Sequence, residues 1–170
     1  HALPFEESAL QASTTLYPLS RDPLVLATKK GHPLGQFAVQ RPGVAYPHID
    51  LSLFANEPFI LVNKEQKIRQ VADLVLHKAQ IRPPVILTTK SFETTRRLPC
   101  TGIGSTFVPL QYLNIFPGSY LCDYYFVDDS LNAWWTLCVA VQKNAYVSRA
   151  AKLFLRIVSE KYGDQLLELD

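Results

Sequence analysis

Residues 59–89 have the sequence FILVNKEQKIRQVADLVLHKAQIRPPVILTT. The apolar runs at residues 59–62 and 85–89 are of strand length, which predicts two buried strands. Between these runs, Pro83 and Pro84 end a segment in which apolar residues recur at helical spacing. The apolar residues of that segment are Ile68, Val71, Ala72, Val75 and Ala79. The stretch therefore predicts a strand, a helix and a second strand.

The alternation of strands and helices continues on both sides of this stretch. Ser91 is placed to cap a helix that runs through Arg97, and Ser148 is placed to cap a final helix. Residues 36–49 are expected to form a long loop or a helical turn. Further strand patterns lie at residues 23–28, 103–108 and 135–141. Short buried strands that alternate with amphipathic helices predict an α/β fold whose sheet is covered on both faces.

The composition of the 170-residue chain is that of a folded protein that stays in water. Hydrophobic residues make up 48% and charged residues 19%, which excludes a disordered or fibrous chain. The net charge of +2 is too weak and too evenly spread for a nucleic-acid-binding surface. No apolar stretch approaches the ~20 residues of a spanning helix, so we expect no membrane partner. Because the chain begins at His1 and has no methionine, we expect a processed product or part of a longer chain.

The cysteines and histidines do not group into a chemical site in the sequence. Three cysteines, an odd number without CxxC spacing or a nearby histidine, indicate neither a disulfide framework nor a zinc site. A catalytic centre would need a Cys or Ser with a base and an orienting acid, and we find no such set. Asp128 and Asp129 predict a solvated turn rather than a metal loop. We therefore expect no metal, no cofactor and no enzyme activity, in a reducing, cytoplasmic setting.

Six short motifs follow one another between Leu24 and Tyr162. They are GHPL at 31–34, DLSLF at 50–54 before EPFIL at 57–61, Arg69, SFETTRRL at 91–98, GIGSTFVP at 102–109 and SRAAKLF at 148–154. Each motif alone occurs by chance in many chains, but their succession resembles the effector-binding domain of LysR-type transcriptional regulators.

The resemblance implies a fold like that of type II periplasmic binding proteins, in which two α/β lobes are joined by two crossing strands and hold a small effector between them. This chain would contain one complete lobe plus part of the second lobe. Residues 1–28 would form the end of the first lobe and a crossing strand, and residues 29–126 the second lobe. Residues 127–170 would form the return crossing strand and the C-terminal helix of the first lobe. The opening strands of the first lobe would precede His1, so the domain would be truncated at its N-terminus.

The function implied by the resemblance is that of the ligand-sensing regulatory domain of a cytoplasmic transcription factor. The full-length protein would be a homodimer or tetramer that binds DNA through a winged-helix domain absent from this chain. The effector would be a small organic or amino acid. An exported solute-binding protein of a transport system has the same fold and is the alternative.

Two segments depart from the family's usual pattern. Pro99 stands where the family has an apolar residue, and we expect it to shorten or kink its helix. Residues 36–49 are longer than the commonest form and are expected to be a surface feature. The resemblance also leaves open that Cys100 and Cys122 form a redox pair, as in peroxide-sensing members, although their flanking residues do not match that subgroup and a simply buried thiol is the alternative.

In such a fold the ligand lies where strands end and helices begin, because unpaired amide protons and the helix dipole favour anions there. Lys64 offers a charge, Ser91 and Thr94 offer hydroxyl groups, and Phe92 offers an apolar wall. Helix capping alone would equally explain Ser91 and Asn63. The predicted ligand-binding residues are Asn63, Lys64, Gln66, Ser91, Phe92, Glu93, Thr94 and Thr106.

Overall fold

A computed structural model of the chain describes residues 14–115, 122–143 and 146–162 as strands and helices in alternation. The strands are β1 (Thr14–Lys29), β2 (Phe59–Val62), β3 (Val85–Thr89), β4 (Thr106–Pro109), β5 (Cys122–Tyr125) and β6 (Trp134–Gln142). The helices are α1 (Lys67–Lys78), α2 (Phe92–Arg97), α3 (Leu110–Ile115) and α4 (Arg149–Tyr162). Short 3-10 helices lie at Pro33–Phe37, Leu51–Phe54, Leu98–Thr101 and Asp129–Leu131. Within the described ranges, no helix combines the length and the apolar character needed to span a bilayer.

The chain divides into two compact units. The central unit is Pro23–Trp135, and the terminal unit combines His1–Asp22 with Thr136–Asp170. Each boundary falls inside a strand, the first in β1 and the second in β6. The chain therefore passes from one unit to the other along two strands.

The sheet of the central unit is organised around β1. On one side β1 pairs antiparallel with β4, so that Leu24 lies opposite Pro109. On the other side it pairs antiparallel with β5, so that Leu26 lies opposite Tyr125. The strand β6 also pairs with β1, and β2 pairs in parallel with β3 in a separate two-stranded sheet.

A parallel bridge joins the two sheets and aligns their ends. The Ser105 amide donates to the Pro58 carbonyl at 2.7 Å, and the Ile60 amide donates to the Ser105 carbonyl at 2.9 Å. A Cβ atom at Gly104 would lie 2.8 Å from the Pro58 carbonyl oxygen, so this approach requires glycine. The carboxyl ends of β2, β3 and β4 consequently lie at one edge. We call this the site edge.

The helix predicted from the periodicity of residues 68–79 is confirmed as α1. Its apolar stripe is buried from Ile68 to Val75, and Ala79, the C-cap, packs half-buried against the same core. That core includes Phe54 and Phe59, both fully buried. The predicted helix after Ser91 is confirmed as α2 and the predicted final helix after Ser148 as α4. Burial of these apolar side chains, at about 1.5–3 kcal/mol each, is the main force that holds α1 on β2.

The prediction that the sheet is covered on both faces is wrong for β3. Val85, Ile86 and Leu87 are 41%, 51% and 41% exposed, although the sequence shows a buried-strand pattern. Among the described strands, β3 pairs with β2 alone, so it is an edge strand with a neighbour on one side. A continuous apolar run does not report the position of a strand in its sheet.

The expectation for Pro99 is confirmed. The helix α2 ends at Arg97, and Pro99 lies in the first turn of the 3-10 helix Leu98–Thr101, which ends at the left-handed Gly102, with φ of 82°. Residues 36–49 form the expected loop after the 3-10 helix at Pro33–Phe37. Its two ends are held together by an antiparallel bridge between Val39 and His48.

The expectation that the cysteines form no disulfide is wrong. Cys100 and Cys122 are joined; they are 22 positions apart in sequence, and their Cα atoms are 4.8 Å apart. The turn that carries Cys100 lies beside Lys29, because a Cβ at Gly102 would lie 2.9 Å from the Lys29 Cδ atom. Cys122 pairs with Lys29 in the sheet, so the fold brings both cysteines to one place. Cys138 is a free thiol, and burial raises its pKa.

Reduction of this disulfide is expected to destabilise the protein by about 3 kcal/mol, since the crosslink closes a loop that otherwise gains freedom on unfolding. Urea unfolding with and without dithiothreitol measures the difference. Cys138→Ser is the matched control and should show the same dependence on reductant as the wild type. The double variant Cys100→Ser and Cys122→Ser should lose that dependence; equal stability of the reduced and oxidised wild type would contradict the prediction.

Candidate functional site

The site edge brings together the two groups of predicted ligand-binding residues. The Asn63 amide donates to the Thr89 carbonyl at 3.0 Å, which sets the ends of β2 and β3 side by side. The Gln66 side-chain amide then donates to the Lys90 carbonyl at 2.8 Å. Residues 63–66 and 91–94 are therefore adjacent, as a shared binding surface requires.

Asn63 and Lys64 present side chains that other described residues do not engage. Asn63 is half-buried and Lys64 is exposed, and neither side chain has a hydrogen bond or ion pair within the described residues. The alternative that Asn63 caps the helix is wrong, because the N-cap position of α1 is Gln66. The Gln66 side chain makes no capping bond there and reaches across to β3 instead.

The capping interpretation is confirmed for Ser91. Its Oγ accepts from the Thr94 amide at 3.2 Å, and its own amide donates to Thr89 Oγ1 at 3.1 Å. Since the Ser91 hydroxyl acts there as an acceptor, its proton stays available for a ligand oxygen. Thr94 is exposed beside it.

Glu93 is held by two arginines of its own helix. The Arg96 guanidinium donates to both carboxylate oxygens, at 2.9 and 2.7 Å, and Arg97 Nε donates to Oε1 at 2.6 Å. These hydrogen bonds from Arg96 and then Arg97 lower the pKa of Glu93. Arg96 is 3% exposed, so the carboxylate compensates a buried charge. An anionic ligand at the site edge would meet a carboxylate whose charge is already balanced.

Phe92 and Thr106 line a small void behind the site edge. Its volume is about 10 Å³, roughly the room for one water molecule. Thr106 is 1% exposed, so the structure does not bring its hydroxyl to the open edge. Arg69 also lines the void and donates to the Val62 carbonyl at 2.9 Å. Thr95, which sequence reasoning did not single out, lies in the same wall and donates to the Ser91 carbonyl at 3.1 Å.

A second, larger cavity of about 320 Å³ was not foreseen from the sequence. It lies between the loop of residues 36–49 and the connection from β5 to β6. The lining residues are Pro23, Leu24, Arg41, Val44, His48, Phe126, Val127, Asp128, Asp129, Ala133 and Trp134. Two sequence features belong to the walls of this cavity: the unusual length of the loop and the Asp128–Asp129 pair. Neither feature predicts that the loop and the connection after β5 lie next to each other. Across the described residues, no three His, Cys, Asp or Glu side chains group as a metal site requires.

The Glu93 ion pairs are expected to stabilise the fold fully above pH 4.5, which is the ordinary pKa of this carboxyl group. The stabilisation is lost as the pH falls through the pKa of Glu93 in the folded protein, which is lower than 4.5. Glu93→Gln should therefore lower the free energy of unfolding at pH 7, by at most about 1 kcal/mol because the carboxylate is half-exposed and screened by solvent. The difference should shrink towards zero in acid. Urea unfolding at pH 7 and at pH 3 measures it.

Glu65→Gln is the matched control, since Glu65 is exposed and makes no ion pair within the described residues. It should change stability little at either pH. A Glu93→Gln effect of equal size at both pH values would show that the charge of Glu93 has no part in its role.

Comparison with known proteins gives a family and a fold. The family model described as LysR substrate binding domain matches residues 6–163. No curated protein sequence matches this chain. The chain is similar in structure to the CcmR regulatory domain of Synechocystis in complex with 2-PG, with a TM-score of 0.73 and 17% identity over 88% of this chain and 67% of that chain.

Two further solved structures show the same fold. The effector binding domain of QuiR in complex with shikimate has a TM-score of 0.73 and 19% identity, over 93% of this chain and 68% of that chain. The BenM effector binding domain with its effector benzoate has a TM-score of 0.65 and 18% identity, over 88% of this chain and 64% of that chain. The chain thus spans about two thirds of the length of these structures.

The predicted α/β fold, like that of type II periplasmic binding proteins, is confirmed. Because the family model covers nearly the whole sequence, the chain belongs to the LysR substrate binding domain family.

Proposed function

We propose that this chain is the ligand-sensing domain of a LysR-type transcriptional regulator and binds a small organic or amino acid at the site edge. The proposal rests on one observation. The ends of β2 and β3 lie side by side next to Asn63 and Lys64, and the side chains of these two residues make no hydrogen bond or ion pair with other described residues. The proposed ligand-binding residues are those predicted from the sequence, except Thr106, whose hydroxyl is buried behind the site edge. Within that set, the geometry supports Asn63, Lys64 and Ser91 most directly.

The chemistry of the site edge favours a carboxylate. The helix α1 begins there without a side-chain cap and without an acidic residue in its first turn. Its first amide groups and its dipole therefore attract an anion, and the Lys64 ammonium adds a full positive charge. The solved relatives include complexes with shikimate and with benzoate, and both of these ligands are carboxylates.

The family match supports the remainder of the proposal. We assign the central unit to the second lobe, approximately residues 29–126, and the terminal unit to the end of the first lobe and its C-terminal helix. The strands β1 and β6 are then the two crossing strands. The full-length regulator would act in the cytoplasm as a homodimer or tetramer and bind DNA through a winged-helix domain outside this chain. Its role is sensing rather than catalysis, in keeping with a family of regulators.

One observation favours the second candidate, an exported solute-binding protein. The Cys100–Cys122 disulfide is typical of oxidising compartments and is rare in the cytosol. The family model and the related solved structures favour the regulator. The state of this disulfide in protein taken directly from cells, trapped by alkylation, distinguishes the two: reduced thiols fit the cytoplasmic regulator.

Lys64→Ala is expected to weaken carboxylate binding roughly ten- to hundredfold, because a hydrogen bond to a charged group contributes about 1.5–3 kcal/mol. Isothermal titration with a panel of small carboxylates that includes benzoate and shikimate measures the change. Lys78→Ala, at the far end of α1, is the matched control and should bind as the wild type does. A wild-type protein that binds none of the carboxylates, or a Lys64→Ala variant with unchanged affinity, would contradict the proposal.

A further inference from the structure

The cavity of about 320 Å³ shares no lining residue with the predicted ligand-binding set. Its volume lies at the lower end of the ~300–1,000 Å³ range of small-molecule sites. All of its lining residues belong to the central unit. It is therefore a separate candidate site, which nothing in the proposed function uses.

Hydrogen bonds between backbone groups hold the walls of this cavity in place. The loop of residues 36–49 is closed by two bonds between Val39 and His48, at 2.8 and 2.9 Å. The same loop is tied to the end of β5, since the Phe126 amide donates to the Pro47 carbonyl at 2.9 Å. The opposite wall is fixed where the Leu24 amide donates to the Ala133 carbonyl at 2.7 Å. The cavity is thus built from regular backbone pairing and is preorganised for a ligand.

The rim of the cavity carries charges of both signs. Arg41 stands on the loop, and Asp128 and Asp129 stand on the connection after β5. Asp128 accepts from the Ser130 amide at 2.9 Å. Hydrogen bonding from the Ser130 side chain, and then from this amide, lowers the pKa of Asp128, so the carboxylate stays charged. A ligand with a single charge would meet repulsion from one side of this rim, whereas a zwitterion would be attracted by both.

His48 also lines the cavity. Its Nδ1 is buried and has no hydrogen bond within the part of the chain that the structure describes, so this atom does not face a ligand in the cavity. Burial lowers the pKa of His48, and the Arg41 charge adds to this effect, so the ring is neutral near pH 7. A neutral ring adds no positive charge beside Asp128 and Asp129, so it does not compete with an ammonium group for these carboxylates.

The floor of the cavity is apolar. Leu24, Val127 and Ala133 are buried there, and the half-buried rings of Phe126 and Trp134 complete the wall. An apolar group placed against them gains about 25 cal/mol for each Å² removed from water. The ligand must therefore combine an apolar body with two opposite charges at one end.

We infer that this cavity binds an α-amino acid with an apolar side chain, with its carboxylate towards Arg41 and its ammonium group towards Asp128 and Asp129. The apolar side chain lies against Phe126, Val127 and Trp134. The inference does not depend on the proposed function, because its residues and its ligand-binding groups are different.

Isothermal titration with L-phenylalanine and L-leucine tests the inference. At least one of the two should bind, and its analogue without the amino group or without the carboxyl group should bind roughly ten- to hundredfold more weakly. For phenylalanine these analogues are 3-phenylpropanoate and 2-phenylethylamine. Binding of neither amino acid, or equal binding of an analogue with one charge, would overturn the inference.

Variants locate the binding site. Arg41→Gln and Asp129→Asn, both at exposed positions, should each weaken amino-acid binding by about tenfold or more, while Arg82→Gln, an exposed arginine outside the cavity, should not. Urea unfolding of each variant confirms that the fold is retained. Lys64→Ala distinguishes the two proposals. If this variant loses amino-acid binding while Arg41→Gln retains it, the amino acid binds at the site edge. That result would overturn the present inference and support the proposed function.

Discussion

The close approach of Gly104 to Pro58 is the constraint on which the rest of the central unit depends. Only two backbone hydrogen bonds, between Ser105 and residues 58 and 60, form the parallel bridge between the two-stranded sheet and the sheet around β1. The 2.8 Å that would separate a Cβ at residue 104 from the Pro58 oxygen leaves no room for a larger residue. Because of this bridge, strands from two sheets end at one edge. The second glycine of the motif GIGSTFVP is therefore required for packing.

Arg69 fixes the helix α1 at that edge. Its side chain is 8% exposed, donates to the Val62 carbonyl at 2.9 Å and pairs with Asp73 at 2.8 Å. A buried guanidinium is costly unless its protons find acceptors, and here the last carbonyl of β2 is one of them. The helix start and the strand end are thus joined by one side chain. This bond positions the segment that carries Asn63 and Lys64, so a residue without contact to a ligand sets the geometry of the proposed site.

The features that the sequence predicted are those that depend on neighbours in the chain. The stripe of α1 and the cap at Ser91 follow from spacings of three or four residues, and both are confirmed. The features that it missed depend on contacts between distant segments. Thr106 is buried because it pairs with Ala27 of β1 and lines the small void behind the site edge, and no local pattern shows this. The disulfide and the larger cavity are likewise formed by segments that are far apart in sequence. The sequence therefore identified some of the residues involved, but it did not show that these segments come into contact.

The two candidate sites differ in their relation to the strands that join the units. The site edge is formed by the ends of β2, β3 and β4 together with α1 and α2, and all of these elements lie wholly inside the central unit. The larger cavity is lined by Leu24 of β1 and Trp134 of β6, each within two residues of a boundary between the units. A ligand in the cavity therefore contacts both connecting strands directly. Since a ligand shifts a conformational equilibrium only through different contacts in its two states, an occupant of the cavity has the more direct means of favouring one conformation of these strands.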